Sequence, residues 1–212
     1  MDLFELKKEQ YKLAQRVVLR DYLSSVKTIG GTACVELNGK IAGFVVVCEF
    51  PSMTLKEKKW YVLNDPLPCR QDFVAFREVP ALVEAFNLLD EEPDVVFVHG
   101  SGILHPRGIG LASHLGLVLN KPTIGVDEKL GFGRVEKGKV VVDADVKGFE
   151  VKTKEFAHPL YVSPGHLMTL GSALRLVMES MKYPHKMPES LHLAHKIAKK
   201  MGKEMRDGIK SV

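Results

Sequence analysis

Four side chains able to bind a metal or move a proton stand out in this sequence: Glu78, His99, His192 and His195. Glu78 sits in "AFREVP", which reads as a largely apolar helix. Its carboxylate must face solvent, pair with Arg77 or turn into a site. His99 closes the apolar run Val95 to Val98, at the end of a buried strand, where many α/β enzymes place a catalytic carboxylate. His192 and His195 lie one turn apart on a basic helix, so they can face a site together or simply face solvent. Glu78, His99 and His195 are the donor types of a two-histidine, one-carboxylate metal arrangement, although their separations form no spacing signature. No GxSxG elbow occurs, so a Ser-His-Asp triad is set aside.

Two further stretches bear on phosphate. "GSGILHPRGIG" places four glycines around His105, Pro106 and Arg107. Glycine tolerates positive φ and close backbone approach, and successive N–H groups with a guanidinium can hold a phosphate. The candidates are Gly102, His105, Arg107 and Gly108. The spacing is neither GxGxxG after a first strand nor GxxxxGK[ST], so a nucleotide-cofactor site is not indicated. A tight strand-to-helix connection would use the same residues. In "VSPGH" (Val162 to His166), Ser163, Gly165 and His166 are placed at a strand end to contact phosphate, or Ser163 caps the helix that follows.

Positioning these residues requires a scaffold. Residues 3–20 read as an amphipathic helix, with Leu3, Leu6, Leu13, Val17 and Val18 near one face. "KTIGGTACVELNGKIAGFVVVCEF" reads as two antiparallel strands joined by a type I′ turn at Asn38-Gly39. "EKKWYVL" reads as a third strand near an edge. Residues 73–89 read as a helix that Pro80 should kink or restart. "PDVVFVH" and "KPTIGV" read as buried strands flanking the helix "GIGLASHLGLVL". "GRVEKGKVVVDAD" suggests a hairpin about Lys137-Gly138, and "HPLYVSPGH" a strand running into a turn. Residues 167–181 and 189–207 read as closing helices. This order predicts an α/β fold with a mixed sheet, as one domain over residues 1–212.

Bulk properties narrow the function classes. Hydrophobic residues make up 45% of the chain, ample for a core. Residues 182–212 carry eight Lys/Arg against three Asp/Glu, a surplus of five, against +4 for the whole chain. A basic C-terminal segment suits an anionic partner such as nucleic acid, and equally a solvated helix face. Cys34, Cys48 and Cys69 are odd in number and form no CxxC, which speaks against a disulfide scaffold or a structural zinc site. No apolar run reaches about 18 residues, so no membrane partner is expected. The start "MDLFELKKEQ" lacks the pattern of a signal peptide, and a cytoplasmic location is expected.

Taken together, "AFREVP", "PDVVFV-GSGILHPRGIGLASHLG", "KPTIGV", "VSPGHL" and "PESLHLAH" resemble the endonuclease V family in order and spacing, from about Lys27 to Lys200. The resemblance implies an RNase H-like mixed sheet flanked by helices. It implies recognition of inosine in DNA or RNA, single-stranded or deaminated, and cleavage of the second phosphodiester bond on its 3′ side with Mg²⁺ or Mn²⁺. The family's metal site uses an Asp on the first strand, an Asp before the glycine loop and a Glu on the intervening helix, and a His on the last helix assists.

Against that pattern Glu78 and His195 match, but the first-strand Asp falls at Ala33 and the second at His99. The family's lysine after "TIGV-" falls at Glu128, and its "PYIP" wedge reads "PCRQ" (Pro68 to Gln71). Losing two of three carboxylates removes most of the charge that holds Mg²⁺, for which a neutral imidazole is a poor ligand. Losing the wedge tyrosine removes a stacking contact worth roughly 1–3 kcal/mol. Glu36 points to the opposite strand face from residue 33 and cannot simply substitute. Imidazoles at 99 and 195 with Glu78 would suit Zn²⁺, Mn²⁺ or Fe²⁺ better than Mg²⁺. The expectation is a nucleic-acid-binding protein with lost or strongly reduced cleavage. The alternative is an active nuclease with a rebuilt metal site.

Overall fold

The computed structural model describes residues 2–209; the last three residues of the basic segment, 210–212, lie outside them. Among the described residues nine strands form one sheet. The first hairpin pairs β1 (Thr28–Leu37) with β2 (Lys40–Glu49), and β3 (Thr54–Leu63) adds to β2 at the sheet edge. Asn38 and Gly39 both take positive φ, +47° and +86°, as a type I′ turn requires. The chain then forms α2 (Val74–Asn87), β4 (Val95–His99), α3 (Leu111–Leu119) and β5 (Thr123–Asp127). Strands β1, β4 and β5 run parallel at the centre of the sheet.

Beyond β5 the sheet continues through β9 (Leu160–His166), β8 (Asp145–Val151), β7 (Lys139–Val142) and β6 (Arg134–Glu136), all antiparallel. The helices α4 (Leu170–Glu179) and α5 (Glu189–Ile209) close the chain, and α1 (Leu3–Ala14) opens it.

Strand alternation divides the core in two. Ile29, Ala33, Val95 and Phe97 bury one face of the sheet beneath Leu191, Ala194 and Ala198 of α5 and Leu176 of α4. Val45, Val96 and Val98 bury the other beneath Val79 and Leu82 of α2 and Leu115 of α3. Among the described residues no helix is long and apolar enough to cross a membrane.

Several expectations are corrected. The first helix ends at Ala14, short of residue 20; beyond it, the Val18 N–H donates to His166 Nδ1 (3.2 Å) instead of continuing a helical ladder. Pro80 does not interrupt α2. It projects to solvent while Val79, Ala81 and Leu82 stay buried, so packing holds the helix together around the missing N–H. "VSPGH" is strand throughout, not a turn. Ser163 therefore caps nothing, and Thr169 caps α4 by accepting from the Ser172 N–H. Strand β8, whose charges interrupt its apolar positions, went unanticipated.

Candidate functional site

The site begins with a carboxylate at the bottom of the sheet. Asp94 accepts hydrogen bonds from the Lys27 and Thr28 N–H groups (2.7 and 3.0 Å), and its own N–H donates to Thr28 Oγ1 (3.1 Å). This pins β1 beside β4 with Gly31 opposite Phe97. Continuing that register by two residues puts Ala33 beside His99 on neighbouring parallel strands, both facing α5. Gly31 lets α5 approach, because a Cβ there would run into the Ser190 carbonyl. One and a half turns later, the His195 ring lands edge-on against His99, with centroids 4.4 Å apart and planes at 77°.

Glu78 arrives from the other face, on α2. Arg77 is not its partner: that guanidinium bonds Glu36 (3.0 Å) and the Leu67 carbonyl (2.7 Å). Glu78 instead turns inward and accepts a hydrogen bond from the Cys34 thiol. Burial pushes its pKa up, against the opposing pull of that thiol and of Arg77. The Cys34 thiol is pushed well up in turn by burial and by the adjacent carboxylate.

Ala33, Glu78, His99 and His105 line one cavity of about 260 Å³. Asp127, at the end of β5, and Asp72 line it too. Both were missed in the sequence. The available signal was the position of Asp127 one residue past "TIGV", at the end of a strand parallel to β4. Glu128 bonds Lys186 (2.7 Å), which with His99 and His195 holds its carboxyl below the ordinary value. His195 is pulled down to about 4 by burial and by His99, and its buried Nε2 has no hydrogen-bond partner among the described residues. The His192 ring stacks on His185, with centroids 3.5 Å apart, and does not line the cavity of Glu78 and His99.

The phosphate candidates disperse. His105 lines the cavity, its Nδ1 accepting from the Arg107 N–H (3.2 Å). Burial lowers its pKa, helped by Arg107. The Arg107 side chain, 8% exposed, turns inward to Gln10 and Asp72 and lies over the Phe73 ring. Ser163 is fully buried and accepts from the Gly102 N–H (2.9 Å), while the Pro164 carbonyl accepts from Ile103 (3.0 Å). Gly102 has no room for a Cβ against Pro164, and Gly165 is packed on Thr123 and Ala112. Strand β9 thus props up the glycine loop from beneath. Gly108 takes φ +69° as a turn residue. His166 pairs with Thr123 at the start of β5, the opposite end of the sheet from His99.

Comparison with known proteins places this geometry. A family profile described as endonuclease V matches residues 11–196. The chain belongs to the endonuclease V family. It is 31% identical over 200 residues to endonuclease V of Dictyoglomus thermophilum, spanning 90% of this chain and 87% of that one. The catalytic domain of human endonuclease V superposes with a TM-score of 0.86 at 28% identity, over 95% of this chain and 96% of that one. Ciona intestinalis endonuclease V, solved with a DNA containing an inosine followed by a ribo-adenosine, gives 0.87 at 25% identity, over 96% and 98%. The fold is therefore RNase H-like, as in these endonuclease V structures.

The endonuclease V family is generally dependent on a divalent metal. Positions 33, 78 and 99 by themselves do not fit Mg²⁺, which demands oxygen donors. Position 33 offers none, position 99 offers nitrogen, and Glu78 is bonded to a thiol. Nor is Glu78–His99–His195 assembled as a set for Zn²⁺ or Mn²⁺, because the two rings touch each other and Glu78 enters from the opposite face. Among the described residues no group of three or more His, Cys, Asp or Glu side chains is arranged to hold a metal ion.

Proposed function

We propose that this endonuclease V homologue binds single-stranded or deaminated nucleic acid and has lost most or all of its metal-dependent cleavage at inosine. The observation that carries this reading is the pair Ala33–His99. Adjacent strand positions that would face a metal together present a methyl group and an imidazole already packed on His195. Glu78 and His195 remain in place without the carboxylates they would work beside, and nucleic acid as partner is supported by the inosine-containing DNA bound to the Ciona intestinalis relative.

One observation favours a second reading, a nuclease with a rebuilt centre: Asp127 brings another carboxylate into the cavity that Glu78 lines. The two readings separate on an end-labelled strand carrying one inosine, as DNA and as RNA, incubated with excess protein and Mg²⁺, Mn²⁺ or Zn²⁺. The expected result is an intact strand with every metal. A cut at the second phosphodiester bond 3′ to inosine, abolished by Glu78→Ala, would establish the second reading and overturn the first.

A further inference from the structure

A second cavity adjoins the first and differs from it in sign. It is a shallow groove of about 450 Å³ between β1 and α5, lined by Ala33, Cys34 and Val35 on one side and by His192, His195, Lys196 and Lys199 on the other. Along α5 these four fall at i, i+3, i+4 and i+7, one helical face with a rise of about 5.4 Å per turn. Lys203 extends the row by a further turn and is exposed, as are Lys196 and Lys199. None of these lysines has an ion-pair partner among the described residues. No carboxylate lines the groove, whereas Asp72, Glu78 and Asp127 line its neighbour.

Ala33 and Cys34 are common to both cavities. An aspartate at position 33 would set a negative charge at their junction, where a phosphate could approach only behind a cation. Alanine leaves the junction neutral. Glu128, whose charge acts on His195, is already paired with Lys186. Lys196, Lys199 and Lys203 thus form a row along α5 with no carboxylate among the residues that line the groove, although Glu204 follows Lys203, and a row of ammonium groups spaced by helical turns suits a linear polyanion.

We propose that the β1–α5 groove is the track for the phosphodiester backbone of a single-stranded nucleic acid, held by Lys196, Lys199 and Lys203 directly and without a bridging divalent cation. This rests on the nucleic-acid-binding reading above and specifies where and how the strand is held. The lysines make the long-range contacts, and the His192 and His195 side chains line the groove beneath them.

The test is fluorescence anisotropy with a labelled oligothymidylate, in EDTA or in Mg²⁺, between about 50 and 200 mM salt. The wild-type protein should bind equally in EDTA and Mg²⁺, within about twofold. Lys196→Ala/Lys199→Ala should reduce the slope of log affinity against log salt by about 1.4, the value for two lost single-strand phosphate contacts. Lys196→Glu/Lys199→Glu should weaken binding by about tenfold or more at low salt. Lys58→Glu/Lys139→Glu, with the same charge change at exposed sites on strands β3 and β7, should stay within about twofold of wild type. Circular dichroism checks that α5 persists in each variant. Equal weakening by the two charge reversals overturns the track, and so does binding that requires Mg²⁺. Absence of wild-type binding in every condition defeats the nucleic-acid reading itself, a different result from a misplaced track.

Discussion

On the proposal that positions 33 and 99 are the broken half of a metal centre, carboxylates placed there should make this protein respond to metal. In Ala33→Asp/His99→Asp the new side chains sit on adjacent parallel strands, about 4.8 Å apart between backbones and on the same face. Position 33 is only 4% exposed, so an effective dielectric near 20 applies and two charges at that distance repel by about 3 kcal/mol. In EDTA the variant should therefore melt below the parent, with one carboxyl of the pair retaining its proton. A divalent cation at about a hundredfold over its dissociation constant returns about 2.7 kcal/mol. At about 2–4 °C per kcal/mol for a chain of this size, melting should rise by roughly 5–10 °C on adding Mg²⁺ or Mn²⁺. The parent should not move measurably. Differential scanning fluorimetry reads both arms, and the inosine-strand assay reads recovered cleavage. A parent stabilised by Mg²⁺ as much as the variant, or a variant indifferent to metal, would refute the assignment of positions 33 and 99 as the broken half of the centre.

Three other outcomes follow from the site's protonation and packing. Because burial raises the Glu78 carboxyl above its ordinary 4.5, the native state holds that proton more tightly and loses stability as pH rises through the folded pKa. Glu78→Gln should thus raise the melting temperature at about pH 8 and have little effect near pH 4. His114, 8% exposed and edge-on to Phe76, is lowered from 6.5 to about 4 by burial. Its contribution is complete above its unfolded pKa and lost as pH falls towards 4, about 3 kcal/mol in all, so His114→Leu should flatten the acid limb of a melting-temperature profile. Ser163→Ala strands the buried Gly102 N–H and should cost about 1–3 kcal/mol by denaturant unfolding, yet leave nucleic-acid affinity unchanged; weaker binding at equal fold content would return Ser163 to the contact surface.

Much of this molecule was legible in one dimension because its signals are local. The Asn38-Gly39 turn, the apolar runs at Val95–Val98 and Thr123–Val126, and the closing helices each follow from backbone preference and side-chain periodicity over a few residues. The resemblance to endonuclease V also lay in contiguous strings, and it singled out Ala33 and His99 before any geometry was known. What those strings could not carry was direction. Arg107 and Ser163 look like phosphate contacts in a glycine-rich frame, yet both turn inward. Asp72 and Gln10 come from distant segments to meet the guanidinium, and β9 slides beneath the loop so that its hydroxyl meets Gly102.

The sequence by itself determined the fold class and the family, and it put an alanine within β1 and a histidine at the end of β4, since residue type at a strand position depends only on reading the strand correctly. Tertiary structure alone decided which groups share a space. It brought Asp127 to the cavity of Glu78, tied Glu78 to Cys34, set His195 against His99, and aligned the lysines of α5 with Ala33. Those pairings depend on strand register and on how closely α5 can approach Gly31, which are properties of long-range packing that no local stretch of residues encodes.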